Sequence, residues 1–133
     1  MRIGELAQQA GVTTKTVRYY ESVGLLRAER LANGYRDYSD DDVVIVREIR
    51  MLSSLGIPVE KSRPFLDCLI AGHRRGDDCD DSLSTYRAAI AEFDRRIADL
   101  SARRQAVAAL LDEAITRANR CSGCEPQPLA AST

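Results

Sequence analysis

Apolar side chains recur along this chain at steps of three and four, and the breaks in that rhythm divide it into elements. Ile3, Leu6, Ala7 and Ala10 form one stripe, the mark of a short amphipathic helix. Gly11 follows at the position where a helix commonly ends in a left-handed residue. Thr13 offers a hydroxyl to cap a second helix, which runs to about Val23 and turns Val17 and Tyr20 inward. Gly24 stops it. Two short helices joined by a tight glycine-containing turn predict a helix-turn-helix.

The helical period then lapses. Leu25-Leu26-Arg27 and Tyr35-Arg36-Asp37-Tyr38 read as short extended segments flanking Ala32-Asn33-Gly34, and Asn-Gly is a strong hairpin signal because both residues tolerate positive φ. A small wing hairpin is expected. Ser39 and Asp42 have the spacing of a capping box, with Asp40 and Asp41 suited to the positive end of a third helix. Val43, Val44, Val46, Ile49 and Leu52 supply its buried side as far as Leu55-Gly56. Pro58 fits the first turn of a fourth helix, but Pro64 does not fit an interior, so Val59 to Ile70 should be kinked or split. Cys68 lies on the apolar side of that segment with Phe65 and Leu69 and reads as a small buried hydrophobe.

The most regular stretch comes last. From Leu83 to Ala118 a seam of Tyr86, Ile90, Phe93, Ile97, Leu100, Arg104, Val107, Leu111, Ala114 and Ala118 alternates steps of four and three, a heptad pattern. At ~1.5 Å per residue such a helix reaches roughly 50 Å, too long to bury its stripe within a small monomer. It is therefore expected to dimerise. Arg104 interrupts the seam, either specifying register or reaching an acid across the interface. The organisation expected is mainly α: a winged helix-turn-helix DNA-binding domain with a small β-hairpin wing over 1–72, a linker loop over 73–82, and a dimerisation helix over 83–120. A Cys-x-x-Cys and a disordered Pro- and Ala-rich tail occupy 121–133.

Composition narrows the class only slightly. The 133 residues are 44% hydrophobic, and no apolar run approaches the roughly 18 residues of a membrane span. The N-terminus has an early acid and no apolar signal region. A cytoplasmic protein follows, with reduced thiols rather than disulfides. The net charge of −1 hides a division. Arg2, Lys15, Arg18, Arg27, Arg30 and Arg36 outnumber the acids before Ser39, whereas Gly76-Asp77-Asp78-Cys79-Asp80-Asp81 carries no cation.

In a helix-turn-helix the second helix enters the major groove, so its exposed side chains must donate. Thr13, Thr14, Lys15, Arg18 and Tyr19 supply hydroxyls, an ammonium, a guanidinium and a phenol there, able to read guanine or hold phosphate. Tyr35, Arg36 and Tyr38 do the same on the wing. Ile3-Gly4-Glu5-Leu6-Ala7, Gly11-Val12-Thr13, Thr16-Val17-Arg18-Tyr19-Tyr20-Glu21, Gly24-Leu25-Leu26 and Gly34-Tyr35-Arg36-Asp37-Tyr38 closely resemble the signature of the MerR family of transcriptional regulators. The resemblance implies a homodimer that binds a palindromic element in promoter DNA with an overlong spacer and distorts it, realigning the promoter for RNA polymerase. It implies recognition-helix contacts from Arg18, Tyr19 and Tyr20, and a wing contact from Arg36 with Tyr38 beside it. It also implies an antiparallel pairing of the long helix.

With the heptad segment centred near Leu100, that pairing places Cys79 of one protomer opposite Cys121 of the other, with Cys124 in the same turn. Three thiols, Cys79, Cys121 and Cys124, then suit a thiophilic metal ion such as Hg(II), Cd(II), Zn(II) or Cu(I). Oxidant sensing by Cys121 and Cys124 is the competing use, and a regulator with no thiol effector is the third outcome. The aspartates around Cys79 work against a thiolate unless a cation is present. The long helix exceeds the length found in metal-sensing members, and a Pro-rich tail replaces their closing helix. His73 sits in a polar loop and reads as surface. An enzyme is not expected: a redox Cys-x-x-Cys works at a helix N-terminus, whereas this one follows a helix C-terminus. A coiled-coil scaffold without DNA contact is the remaining rival.

Overall fold

A computed structural model describes residues 1–120. The expectations for Cys121, Cys124 and the tail lie outside the described residues. Helix α1 spans Ile3–Ala10 and α2 spans Thr14–Ser22. Between them Gly11 takes φ +73°, a left-handed conformation that costs glycine little. Thr13 is extended, and its hydroxyl accepts the Thr16 N–H at 3.1 Å. The predicted turn and cap are both present.

The second strand of the hairpin falls inside the expected segment, whereas the first lies beyond the expected Leu25-Leu26-Arg27. Strand β1 is Glu29–Arg30 and β2 is Arg36–Asp37, antiparallel with Glu29 opposite Asp37 and Arg30 opposite Arg36. Leu25 and Leu26 are not in it, because Leu26 turns into the core at 4% exposure. Apolar content was mistaken there for strand. The connection is closed by Leu31 N–H to the Tyr35 carbonyl at 2.8 Å, with Gly34 at φ +85°.

Helix α3 spans Asp40–Ser54 and begins with the predicted capping box between Ser39 and Asp42. The next segment is split as expected: a 3-10 turn covers Val59–Lys61, and α4 covers Arg63–Ile70 with Pro64 in its first turn. Leu6, Ala7, Ala10, Val17, Tyr20, Leu26, Tyr38, Val43, Val46, Ile49 and Leu66 form the main core. Val44 was expected to join them. It is 48% exposed, because Val43, Val46 and Ile49 already occupy the inward stripe and Val44 falls about 100° away on the helix.

A second cluster joins Leu52, Ile57 and Phe65 with half-buried Tyr86 and Ala89. The Tyr86 ring lies 5.0 Å from that of Phe65. Tyr86 therefore packs within its own chain instead of opening the heptad seam. Helix α5 spans Asp80–Arg120, starting three residues before Leu83. Ser82 sets this start: it is fully buried, and its hydroxyl donates to the Gly76 carbonyl at 2.5 Å.

The chain divides into a unit of Met1–Ile90 and a second beginning at Ala91. Within the second, Ile97, Leu100, Arg104, Val107, Leu111, Ala114 and Ala118 are all exposed. Its charged residues pair along the helix, Arg96 with Glu92 at 3.4 Å and Arg103 with Asp99 at 2.9 Å. Exposed pairs of this kind are screened by solvent and contribute little, so they do not replace a covered seam. Among the described residues no helix is long and apolar enough to cross a membrane.

Candidate functional site

The outer face of α2 carries the donors. Lys15, Arg18 and Tyr19 are exposed, Thr13 stands exposed at the cap, and Thr14 is half-buried in the first turn. Among the described residues neither Lys15 nor Arg18 forms an ion pair. Tyr20 and Tyr38, also expected to contact DNA, lie in the core rather than on the donor face. They are 4% and 2% exposed, since Tyr20 follows Val17 by three residues on the inward stripe and Tyr38 closes over the core as β2 ends. Their rings support the surface from behind. Tyr35 and Arg36 stay exposed on the wing.

Glu21, quoted in the family signature but assigned no role there, joins the two halves of this surface. Its carboxylate accepts from the Arg36 guanidinium at 2.6 Å and from the Tyr38 hydroxyl at 2.5 Å. Burial, and then the bond to Glu21, pushes the Tyr38 phenol up to about 12, so it keeps its proton and acts as donor. Recognition helix and wing are thus tied through one acid. The N-terminus adds a second tie: the Met1 ammonium donates to Asp37 at 2.8 Å and to the Tyr38 carbonyl at 2.7 Å. Arg2 lies 4.7 Å over the Tyr35 ring, placing another cation on the wing. Arg63 donates to the Gly24 carbonyl at 2.7 Å, which holds the far end of α2 against α4. The wing and α4 thus hold α2 directly, and Met1 holds the wing.

The cysteines are arranged differently from expectation. Cys68 is buried at 2% exposure, as expected of a small hydrophobe, but it forms a disulfide with Cys79, Cα atoms 6.0 Å apart. The expectation of reduced thiols is corrected for this pair. The reason is local. Helix α4 ends at Ile70, the His73 N–H bonds back to the Cys68 carbonyl at 3.3 Å, and the loop returns Cys79 to the same spot. The donor atoms of Cys68, His73 and Cys79 all lie within 4.8 Å of one another. His73 is exposed as foreseen, yet it belongs to a cluster the sequence reading passed over. The spacing Cys68-x4-His73-x5-Cys79 was its available signal. Cys79 precedes α5, and its carbonyl accepts from Ser82 and Leu83 at 3.1 and 3.3 Å.

Comparison with known proteins agrees with this architecture. Residues 1–67 match the family described as MerR HTH family regulatory protein. The chain is 40% identical over 101 residues to the HTH-type transcriptional regulator HmrR of Rhizobium leguminosarum, covering 76% of each chain. It is 36% identical over 99 residues to the heavy metal-dependent transcription regulator 2 of Rhizobium meliloti, covering 74% of this chain and 65% of that one. The solved structure of the transcription regulator PbrR691 from Ralstonia metallidurans, in complex with lead(II), shares the fold. Its TM-score is 0.68 at 24% identity, over 98% of this chain and 92% of the other. A helix-turn-helix with a cation-bearing second helix, an acid-tied wing and a long terminal helix thus stands on a family match across half the sequence: the chain belongs to the MerR family of transcriptional regulators.

Proposed function

We propose that this regulator binds a palindromic promoter element as a homodimer and controls transcription by distorting that DNA so that RNA polymerase can engage it. The observation that carries the reading is the donor face of α2, with Lys15 and Arg18 in no ion pair among the described residues and the wing locked beside them through Glu21. Residues 1–72 hold the DNA, and 83–120 hold the partner subunit. The exposed seam of α5, with Ile97 and Leu100 at 64% and 62% exposure, supports the pairing. Apolar rows of that extent are normally covered. Bending a site of this size costs on the order of 1–6 kcal/mol, offset by contacts from two protomers. The protein acts in the cytoplasm, where promoters are.

The effector is a thiophilic metal ion. Support comes from the relative named as heavy metal-dependent and from the position of Cys79 immediately before α5; an antiparallel homodimer would bring it toward the Cys-x-x-Cys that follows the partner's helix. The Cys68–Cys79 disulfide favours a second reading, in which oxidants act on the same thiols. Selection of binding sites from random-sequence duplexes tests the DNA claim. Recovered sites should form an inverted repeat whose half-sites lie on one face of the duplex, and a circular-permutation assay should detect a bend. Unrelated sequences without dyad symmetry would count against it.

A further inference from the structure

Cys79 has company within its own unit. Cys68 is among the most buried side chains of its unit, yet it belongs to neither apolar cluster. Its sulfur meets Cys79 and the Arg75 carbonyl, the latter at 3.4 Å. The loop that returns Cys79 is built rather than loose. Gly72 takes φ +99° and turns the chain so that His73 falls beside Cys68. Asp78 accepts the Arg75 N–H at 3.0 Å, and Asp77 pairs with the Arg75 guanidinium at 2.8 Å and with the Tyr86 hydroxyl at 3.1 Å. Two of the four acids around Cys79 are thus already engaged. Gly76 is pressed against Glu48, where an added Cβ would come within 2.5 Å of a carboxylate oxygen. Cys79 is delivered to the residue immediately before a 41-residue helix, which fixes its backbone beside Cys68.

We propose that Cys68, His73 and Cys79 form a metal site within each protomer, taking a divalent ion of the zinc group, Zn(II) or Cd(II), through two thiolates and one imidazole. Two sulfurs and a nitrogen exclude the oxygen-seeking Mg(II) and Ca(II). Tetrahedral bonds of ~2.3 Å to sulfur and ~2.1 Å to nitrogen separate ligand atoms by roughly 3.6–3.8 Å. That span lies inside the 4.8 Å cluster, and rotation of the reduced side chains opens the two sulfurs to it. Three protein ligands leave the fourth position to water. The ion and the disulfide use the same sulfurs and exclude each other, so only reduced protein takes metal. Bound metal pins the C-terminal end of α4 to the first turn of α5, a staple inside one unit. This ligand set competes for Cys79 with the pairing to Cys121 and Cys124, on which the metal reading of the function rests.

The test is titration of the reduced full-length chain with Co(II) and Zn(II), with absorption, stoichiometry and thiol alkylation as readouts. The variant Cys121→Ser/Cys124→Ser should still bind one ion per chain, show sulfur-to-cobalt charge-transfer absorption and protect Cys68 and Cys79 from alkylation. Cys68→Ser and His73→Gln should each weaken binding by at least the ~10–100-fold seen on losing even an outer partner of a metal site. His73 is exposed, so its variant folds whatever Cys68→Ser does. Undiminished affinity in His73→Gln overturns the proposal. So does loss of metal from the tail double variant, which leaves the cross-protomer reading standing. Absence of binding to the wild-type chain overturns both metal readings and leaves the DNA reading untouched.

Discussion

At the scale of single residues, the side chain with most leverage is Glu21, half-buried between α2 and the wing and holding Arg36 and Tyr38 together. Tyr38→Phe removes a donor to a charged acceptor, a loss of about 1.5–3 kcal/mol by the usual range, read by denaturant unfolding at neutral pH. The phenol ionises near 10.0 when unfolded and about 12 when folded, so the folded state holds the extra proton in that interval. Its contribution is complete below pH 10 and fades as pH rises toward 12. Melting temperatures of the wild type should therefore fall more steeply over that range than those of Tyr38→Phe. Parallel alkaline melts would refute the role assigned to this bond. Residue type and spacing put Thr13, Lys15, Arg18, Tyr19 and Arg36 on exposed surface, where the structure also has them. They could not separate Tyr20 and Tyr38 from it, because a tyrosine serves a core and a phosphate equally well. Cys68 was read by its apolar neighbours alone, and its partner arrives through a loop whose path depends on Gly72 and Gly76.

At the scale of elements, boundaries were legible wherever a cap defined them. The Ser39–Asp42 capping box and left-handed Gly11 both appear where the residues implied. Ser39→Ala should cost about 1 kcal/mol, within the 0.5–2 kcal/mol typical of a lost N-cap. It lies outside the donor face, so DNA affinity measured at a temperature where the variant is folded should stay within about twofold. The wing and the start of α5 were the misplaced boundaries. Both depend on tertiary contacts: Leu26 enters the core instead of a strand, and buried Ser82 binds Gly76 to extend the helix backward. Hydrophobic periodicity sees neither event.

At the scale of the whole molecule, the long helix is the element whose partner the chain itself cannot provide. Leu100 lies near the middle of the heptad segment and is exposed within one chain. Leu100→Asp should place two carboxylates in the seam of a dimer and dissociate it, as analytical ultracentrifugation would detect. Promoter affinity should fall with it, because half-site binding by one protomer forfeits the contacts of the other. An unchanged dimer would show that the seam lies elsewhere on α5. The heptad pattern was the strongest signal in the sequence, and it identified a face in need of cover. Tyr86 shows its limit, since a residue in perfect register was claimed by Phe65 of its own chain.

The central claim is that α2 reads promoter DNA with its free cations, and equilibrium binding to the selected duplex across a salt series tests it most directly. Lys15 and Arg18 from each of two protomers, at a slope of about −0.9 per phosphate contact, give a log–log slope near −4 if both hold phosphate and near −2 if Arg18 reads a base. If each Arg18 reads a base at ~1–3 kcal/mol, Arg18→Ala removes one such contact from each protomer and should bind at least about 30-fold more weakly. It should also keep its dimer and its melting temperature. Affinity and slope unchanged in a folded Arg18→Ala dimer would contradict the account.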